Sequence, residues 1–208
     1  MDSGTVVRTR RALHAVAELV LAGPQHRDSG TIRLRACAGG FGTVAEPWLR
    51  VVGAELVGRG RAVSLERTSC ASLGAALGLG VGAPDGVYQD GPGVAADHAI
   101  EVDPAAARWL AHCFALGEVA LRALFPEAEP VIWPEHFDIA VTVGAVNYGL
   151  SPGDAFQGEP YAYVGPHAPR QGEFWHAPFG AARTVRELGG AGGLMDFLEQ
   201  GRRLAGGA

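Results

Sequence analysis

Lysine is absent from this chain, asparagine occurs once, at Asn147, and cysteine three times, at Cys37, Cys70 and Cys113. Without lysine there is no lysine-containing phosphate loop. The run Gly39-Gly40-Phe41-Gly42 does not match the GxGxxG dinucleotide fingerprint either, and reads as a turn. The cysteines are odd in number, far apart and outside any CxxC or metal-like spacing, which makes them reduced core thiols. No window approaches about 18 uninterrupted apolar residues, and no secretory leader pattern opens the sequence. The expectation is a cytoplasmic protein with no membrane partner. Positive charge is also in deficit: 17 arginines against 22 acidic residues give a net charge of -5, the wrong sign for the basic stripe of a nucleic-acid binder. An all-arginine, alanine- and glycine-rich composition reflects a GC-rich genome, and arginine clusters on that background usually serve solubility.

What is present is enough for one buried core. With 48% hydrophobic and 19% charged residues the composition is that of a folding globular chain, and 208 residues correspond to a single domain over 1–208. Val6, Leu13, Val16, Leu19 and Val20 recur at helical spacing and predict a first helix from a Ser3 cap to Ala22, leaving Arg8, Arg10 and Arg11 largely outside its apolar stripe. A loop over 23–30 leads into an alternating strand at 31–37. Residues 48–57, the turn 58–61 and residues 62–65 form a hairpin. A short helix over 71–79 precedes a glycine- and proline-rich stretch at 80–97, a connector or a cover loop. Asp103-Pro104 caps a long helix to Phe125, with Leu110, Phe114, Leu121 and Leu124 on its buried side and a Glu118–Arg122 pair outside. Strands follow at 137–143 and 159–164 as hairpin neighbours, then a helix over 193–204. This order predicts an α+β fold of mostly antiparallel strands covered by helices, without βαβ alternation.

The candidate site lies in residues 133–179, where polar and aromatic side chains are densest. Alternation from Phe137 puts His136, Asp138 and Thr142 on the face opposite Phe137, Ile139, Val141 and Val143. The second strand puts Glu159, Tyr161 and Tyr163 on one side. His136, Asp138 and Glu159 are the candidate acid/base groups. Trp133, Tyr161, Tyr163, Asp154 and Trp175 are the candidate ligand contacts. A metal alternative joins His136, Asp138 and His176 as a two-histidine, one-carboxylate set, with Arg186 holding an acidic cosubstrate. The plainer alternative has Asp154 and Glu159 organising turns, the tyrosines packing edge-on and His136 capping the strand entry. A hydrolase triad is excluded: Ser151 lies in Leu-Ser-Pro-Gly rather than the GxSxG elbow, and His112 and Cys113 are adjacent on a helix, where neighbours do not face one another.

The words WPEHFD, SPGD, EPYAYVGP and FWHAPFGA resemble an uncharacterised actinobacterial protein family, and the chain is distantly similar to a wider bacterial family of unknown function. The resemblance runs over most of the chain. It implies one domain and transfers no activity, cofactor or catalytic residue. The resulting expectation is a small-molecule-binding protein with a pocket at 133–179, acting either as an enzyme through acid/base residues or as a binding module. The metal-dependent, non-haem-iron-like enzyme and the non-catalytic interaction subunit are its alternatives. No cofactor is named by any motif.

Overall fold

The computed structural model describes residues 2–89 and 91–206. Helix α1 (Ser3–Val16) is capped by Asp2, one residue before the expected Ser3: its carboxylate accepts from Thr5 N at 3.0 Å. The helical path does not end at Ala22. A π-helical turn (Ala17–Ala22) carries it into α2 (Gly23–Ser29), so the expected loop at 23–30 is mostly helix. Proline inside a regular helix loses a hydrogen bond and clashes with the carbonyl four residues back, and the wider π turn absorbs it here. Gly23 N reaches back to Glu18 O, which leaves the Leu19 carbonyl to accept from Gly82 N at 2.9 Å. Glycine is required at position 23, since a Cβ there would lie 1.7 Å from Gly82 O. The irregular stretch 80–97 is thereby tied to the helix at one end.

Five short strands follow: β1 (Leu34–Cys37), β2 (Gly40–Thr43), β3 (Leu49–Val52), β4 (Glu55–Gly58) and β5 (Arg61–Ser64). The glycine run at 39–42 is therefore more than a turn. Gly40 and Gly42 are strand residues, and a Cβ on Gly40 would sit 1.9 Å from Val51 O. The stretch 48–57 is two strands, folded back at Gly53 with φ 57°. Gln25 ties this meander to α2. Fully buried, its amide donates to Thr31 O and Arg33 O at 2.9 and 2.8 Å and accepts from Val44 N and Ala45 N at 2.7 and 2.9 Å, so all its bonding capacity is used.

Strands β6 (Thr68–Ser69) and β7 (Ala99–Ile100) form a separate pair flanking α3 (Cys70–Leu77). Helix α4 (Pro104–Leu124) starts as its sequence requires, with Asp103 accepting from Ala106 N at 2.8 Å. Its glycine at 117 lets it lie directly on the sheet, since a Cβ there would meet Ile139 Cγ2 at 2.7 Å. Glu118 and Arg122 pair at 2.9 Å on the exposed side. The second meander is β8 (Val131–Trp133), β9 (Asp138–Val143), β10 (Val146–Ser151), β11 (Tyr161–Pro166) and β12 (Ala181–Thr184), followed by α5 (Val185–Leu188) and α6 (Ala191–Leu204).

All ten strands outside the β6–β7 pair make one antiparallel sheet in the order β5-β4-β3-β2-β1-β8-β9-β10-β11-β12. The fold is α+β. The two meanders meet through their first strands, where Leu34 pairs with Ile132. The expected pairing of 137–143 with 159–164 does not occur, because β10 lies between them. Ile139, Val141, Tyr148, Leu150, Ala162 and Val164 point from one face of the second meander into the main core. The other face carries Asp138, Asn147, Gly149, Ser151, Tyr161 and Tyr163. No helix among the described residues is long and apolar enough to cross a membrane.

Candidate functional site

The polar face of β9–β11 is the floor of a cleft of about 1100 Å³. Helix α1 supplies one wall through Val7, Arg10, Arg11 and His14, the i, i+3, i+4, i+7 set that shares a helix face. The turn at 134–137 supplies Glu135 and His136. Loop residues add Asp154, His167, Arg170 and Phe179, and Gln89, Gly91 and Pro92 also line it.

The turn sets the geometry. Trp133 pairs with Asp138, so Pro134 to Phe137 form a four-residue hairpin loop, closed by Phe137 N donating to Trp133 O at 2.7 Å. Phe137 takes φ 54°, a left-handed conformation that a bulky side chain adopts only when its surroundings hold it. The ring meets Phe41 and Phe114 edge-on at 5.2 Å each and stacks on His14 at 5.3 Å. His14 in turn donates from Nε2 to Pro134 O at 2.7 Å, so α1 and the turn are locked together. Burial, with Arg10 and His136 nearby, lowers the His14 pKa to about 4, which keeps the imidazole neutral. The expected strand alternation from Phe137 therefore starts one residue later. His136 belongs to the exposed turn, while Asp138 opens β9.

Asp138 is 6% exposed. The Tyr163 hydroxyl donates to its Oδ2 from two strands away, across β10. Gly149 makes that reach possible: a Cβ there would lie 2.6 Å from both Cζ and Oη of Tyr163. Oδ1 of Asp138 has no partner among the described residues. Burial raises the carboxyl to about 6, against the lowering influence of the Tyr163 hydroxyl and His136, and raises the Tyr163 phenol well above its usual range, so the tyrosine stays a donor. We expect Gly149→Ala to push Tyr163 off Asp138 and move the carboxyl pKa further up, as Tyr163→Phe does. Carboxyl-detected NMR titration checks this, and an unmoved Asp138 in both variants refutes the bridge.

A second tyrosine–aspartate pair lies alongside. Tyr161 Oη donates to Asp154 Oδ2 at 2.5 Å, and Asp154 Oδ1 accepts from Phe156 N and Gln157 N at 2.8 and 3.0 Å. Asp154 thus organises the SPGD turn and fixes it to the cleft wall. Tyr161, Tyr163 and Phe179 form a triangle of rings 6.2 to 6.4 Å apart.

Of the sequence candidates, His136, Asp138, Asp154, Tyr161 and Tyr163 line this cleft. Four others lie elsewhere. Glu159 precedes β11 and binds Arg186 at 2.8 Å, which removes it from the acid/base set and engages the arginine expected to hold a cosubstrate. Trp133 lies under the Arg33 guanidinium, 5.8 Å from its ring centre. Trp175 packs edge-on to Phe174 at 4.8 Å against the main core. His176 sets Nδ1 and Nε2 on the carbonyls of Phe174 and Ala182, at 2.9 and 2.8 Å, away from His136 and Asp138. The expected His136/Asp138/His176 metal set is therefore not assembled, and no group of three metal-capable side chains occurs among the described residues. The residues that sequence reasoning missed are Arg10, Arg11 and His14 on α1, with Glu135, Gly149, Arg170 and Phe179. The helical spacing of Val7 to His14 was the available signal for the first three.

No protein-family model, curated protein or solved structure matches this chain.

Proposed function

We propose that the protein binds a small molecule in the cleft between α1 and β9–β11 and acts on it through Asp138 as a general acid or base. The observation that carries this reading is the Asp138 carboxylate itself, buried at the cleft floor, with one oxygen held by Tyr163 and the other without a partner among the described residues. Native structures rarely leave a buried polar atom unpaired, and a ligand supplies the partner. A carboxyl held near 6 exchanges its proton at neutral pH, as an acid/base group must. The oriented Oδ2 leaves Oδ1 to meet the bound molecule, and the Tyr161–Tyr163–Phe179 wall gives an apolar surface beside it.

Native mass spectrometry of protein purified without a metal-affinity step tests this. The expected result is a stoichiometric organic molecule that is lost from Phe179→Ala, a substitution at a partly exposed cleft residue that leaves the main core intact. Protein that carries nothing, and whose cleft amides stay fixed in two-dimensional NMR when a fragment library is added, overturns the proposal.

A further inference from the structure

Two buried carboxylate oxygens in the cleft have no hydrogen-bond partner among the described residues: Asp138 Oδ1 and Glu135 Oε2. They belong to residues three apart, at the start of β9 and in the turn before it, and both residues line the same cavity. An ionised carboxylate only accepts, so whatever satisfies these atoms is a donor. Tyr88 Oη and His136 lie close enough to act on Glu135 and Asp138 electrostatically but bond neither oxygen, and the remaining polar groups nearby are engaged elsewhere. Tyr163 donates to Asp138 Oδ2, Tyr161 to Asp154 and His14 to Pro134 O. Arg10 donates to Gly158 O at 3.3 Å and Arg170 to Ala205 O at 3.0 Å, so neither guanidinium closes the carboxylate pair.

The aromatic wall points the same way. Ring faces attract cations, and both tyrosines on this wall donate their hydroxyl protons to carboxylates, which increases the electron density of the rings. Resting on the reading of the cleft given above, we infer that its ligand carries a protonated nitrogen, seated between Glu135 and Asp138, with its apolar part against Tyr161, Tyr163 and Phe179. An ammonium offers three donors, enough for both orphaned oxygens. Arg10 and Arg11 present the opposite sign from α1, and a carboxylate on the same molecule is accommodated there, which makes amino-acid-like amines the fitting class.

Four probes of one skeleton test the charge: 2-phenylethylamine, phenylalanine, 3-phenylpropanoate and 2-phenylethanol, each titrated into the full-length protein and followed by NMR shifts of the cleft amides. The two amines are expected to bind at least about tenfold more tightly than the acid and the alcohol. Glu135→Gln and Asp138→Asn are each expected to weaken amine binding about fivefold or more, with melting curves showing both variants folded. Equal binding of 3-phenylpropanoate or 2-phenylethanol, or amine binding untouched by both substitutions, overturns the inference. Cleft shifts with the acid or alcohol alone leave the cleft as a binding site and remove the cation. No cleft shift with any of the four refutes the amine.

Discussion

Asp138→Asn is expected to make the protein more stable at pH 8, by about 2 kcal/mol, while removing the acid/base group proposed above. The carboxyl is raised from 3.8 to about 6 by burial, and each pKa unit corresponds to about 1.4 kcal/mol. A group raised on folding contributes stability that is complete below its unfolded pKa and is lost as pH climbs through the folded value. Ionised Asp138 is therefore a liability of about 3 kcal/mol above pH 6, reduced to about 2 in the comparison with asparagine because an amide N–H must then find an acceptor. His14 has the opposite sign. Lowered from 6.5 to about 4, it contributes stability above pH 6.5 that is lost as pH falls towards 4. Over that window the two contributions oppose each other in the wild type, and removing Asp138 exposes the histidine. Urea unfolding across pH 4 to 8 reads both effects: the asparagine variant should be more stable than wild type at pH 8 and show the steeper fall towards pH 4. A variant less stable at pH 8 would refute the account of a desolvated carboxylate that costs the fold stability.

The second large effect is structural and reaches the same site. Phe137→Ala is expected to lower the unfolding free energy by about 4 kcal/mol, within the usual range for deleting a buried aromatic ring, and the melting temperature by about 8 to 16 °C for a chain of this size. The ring is 1% exposed and touches Phe41, Phe114 and His14, so its loss leaves a void between α1, α4 and the first meander. Alanine keeps the positive φ and the strain without the packing that holds it. Phe137→Leu separates ring packing from bulk: it should recover part of the stability but not the His14 stack. A loss below about 1 kcal/mol for the alanine variant would mean that the turn is held by its backbone bonds instead.

Much of the architecture was legible in the sequence because it rests on short-range rules. The Asp103-Pro104 start of α4 follows from capping, and the α+β class follows from strands without βαβ spacing. What was not legible depends on contacts between distant residues. The helix past Ala22 was hidden by Gly23-Pro24, a pair that ends most helices and is tolerated here only through the π turn and Gly82. Strand β10 was hidden because its cleft-facing positions are Asn147, Gly149 and Ser151, residue types that read as loop. Position 149 is glycine because Tyr163 occupies the space where a side chain would be. For the site, density of polar and aromatic residues located the right segment. Period-two counting put His136 on the strand, whereas it lies in the turn before β9 and still lines the cleft, since the strand starts after the left-handed Phe137. Glu159 and Trp133 fell outside because each has a distant partner that no local pattern announces, Arg186 and Arg33, while Trp175 and His176 are held by Phe174 next to them.

The mirror-like strand order has a consequence for how the chain reaches this structure. Every pairing in the ten-stranded sheet joins consecutive strands except β1 with β8, which brings together residues about a hundred positions apart. Pairings between neighbours close short loops at little entropic cost, whereas the β1–β8 junction must wait for a long one. Each meander is thus a local folding problem, with its leading helix at hand to cover it, and the junction is the late step. Because α1 precedes the first meander while the cleft floor belongs to the second, the cleft has no wall until that late step is complete. A half-folded chain has a core but no cleft.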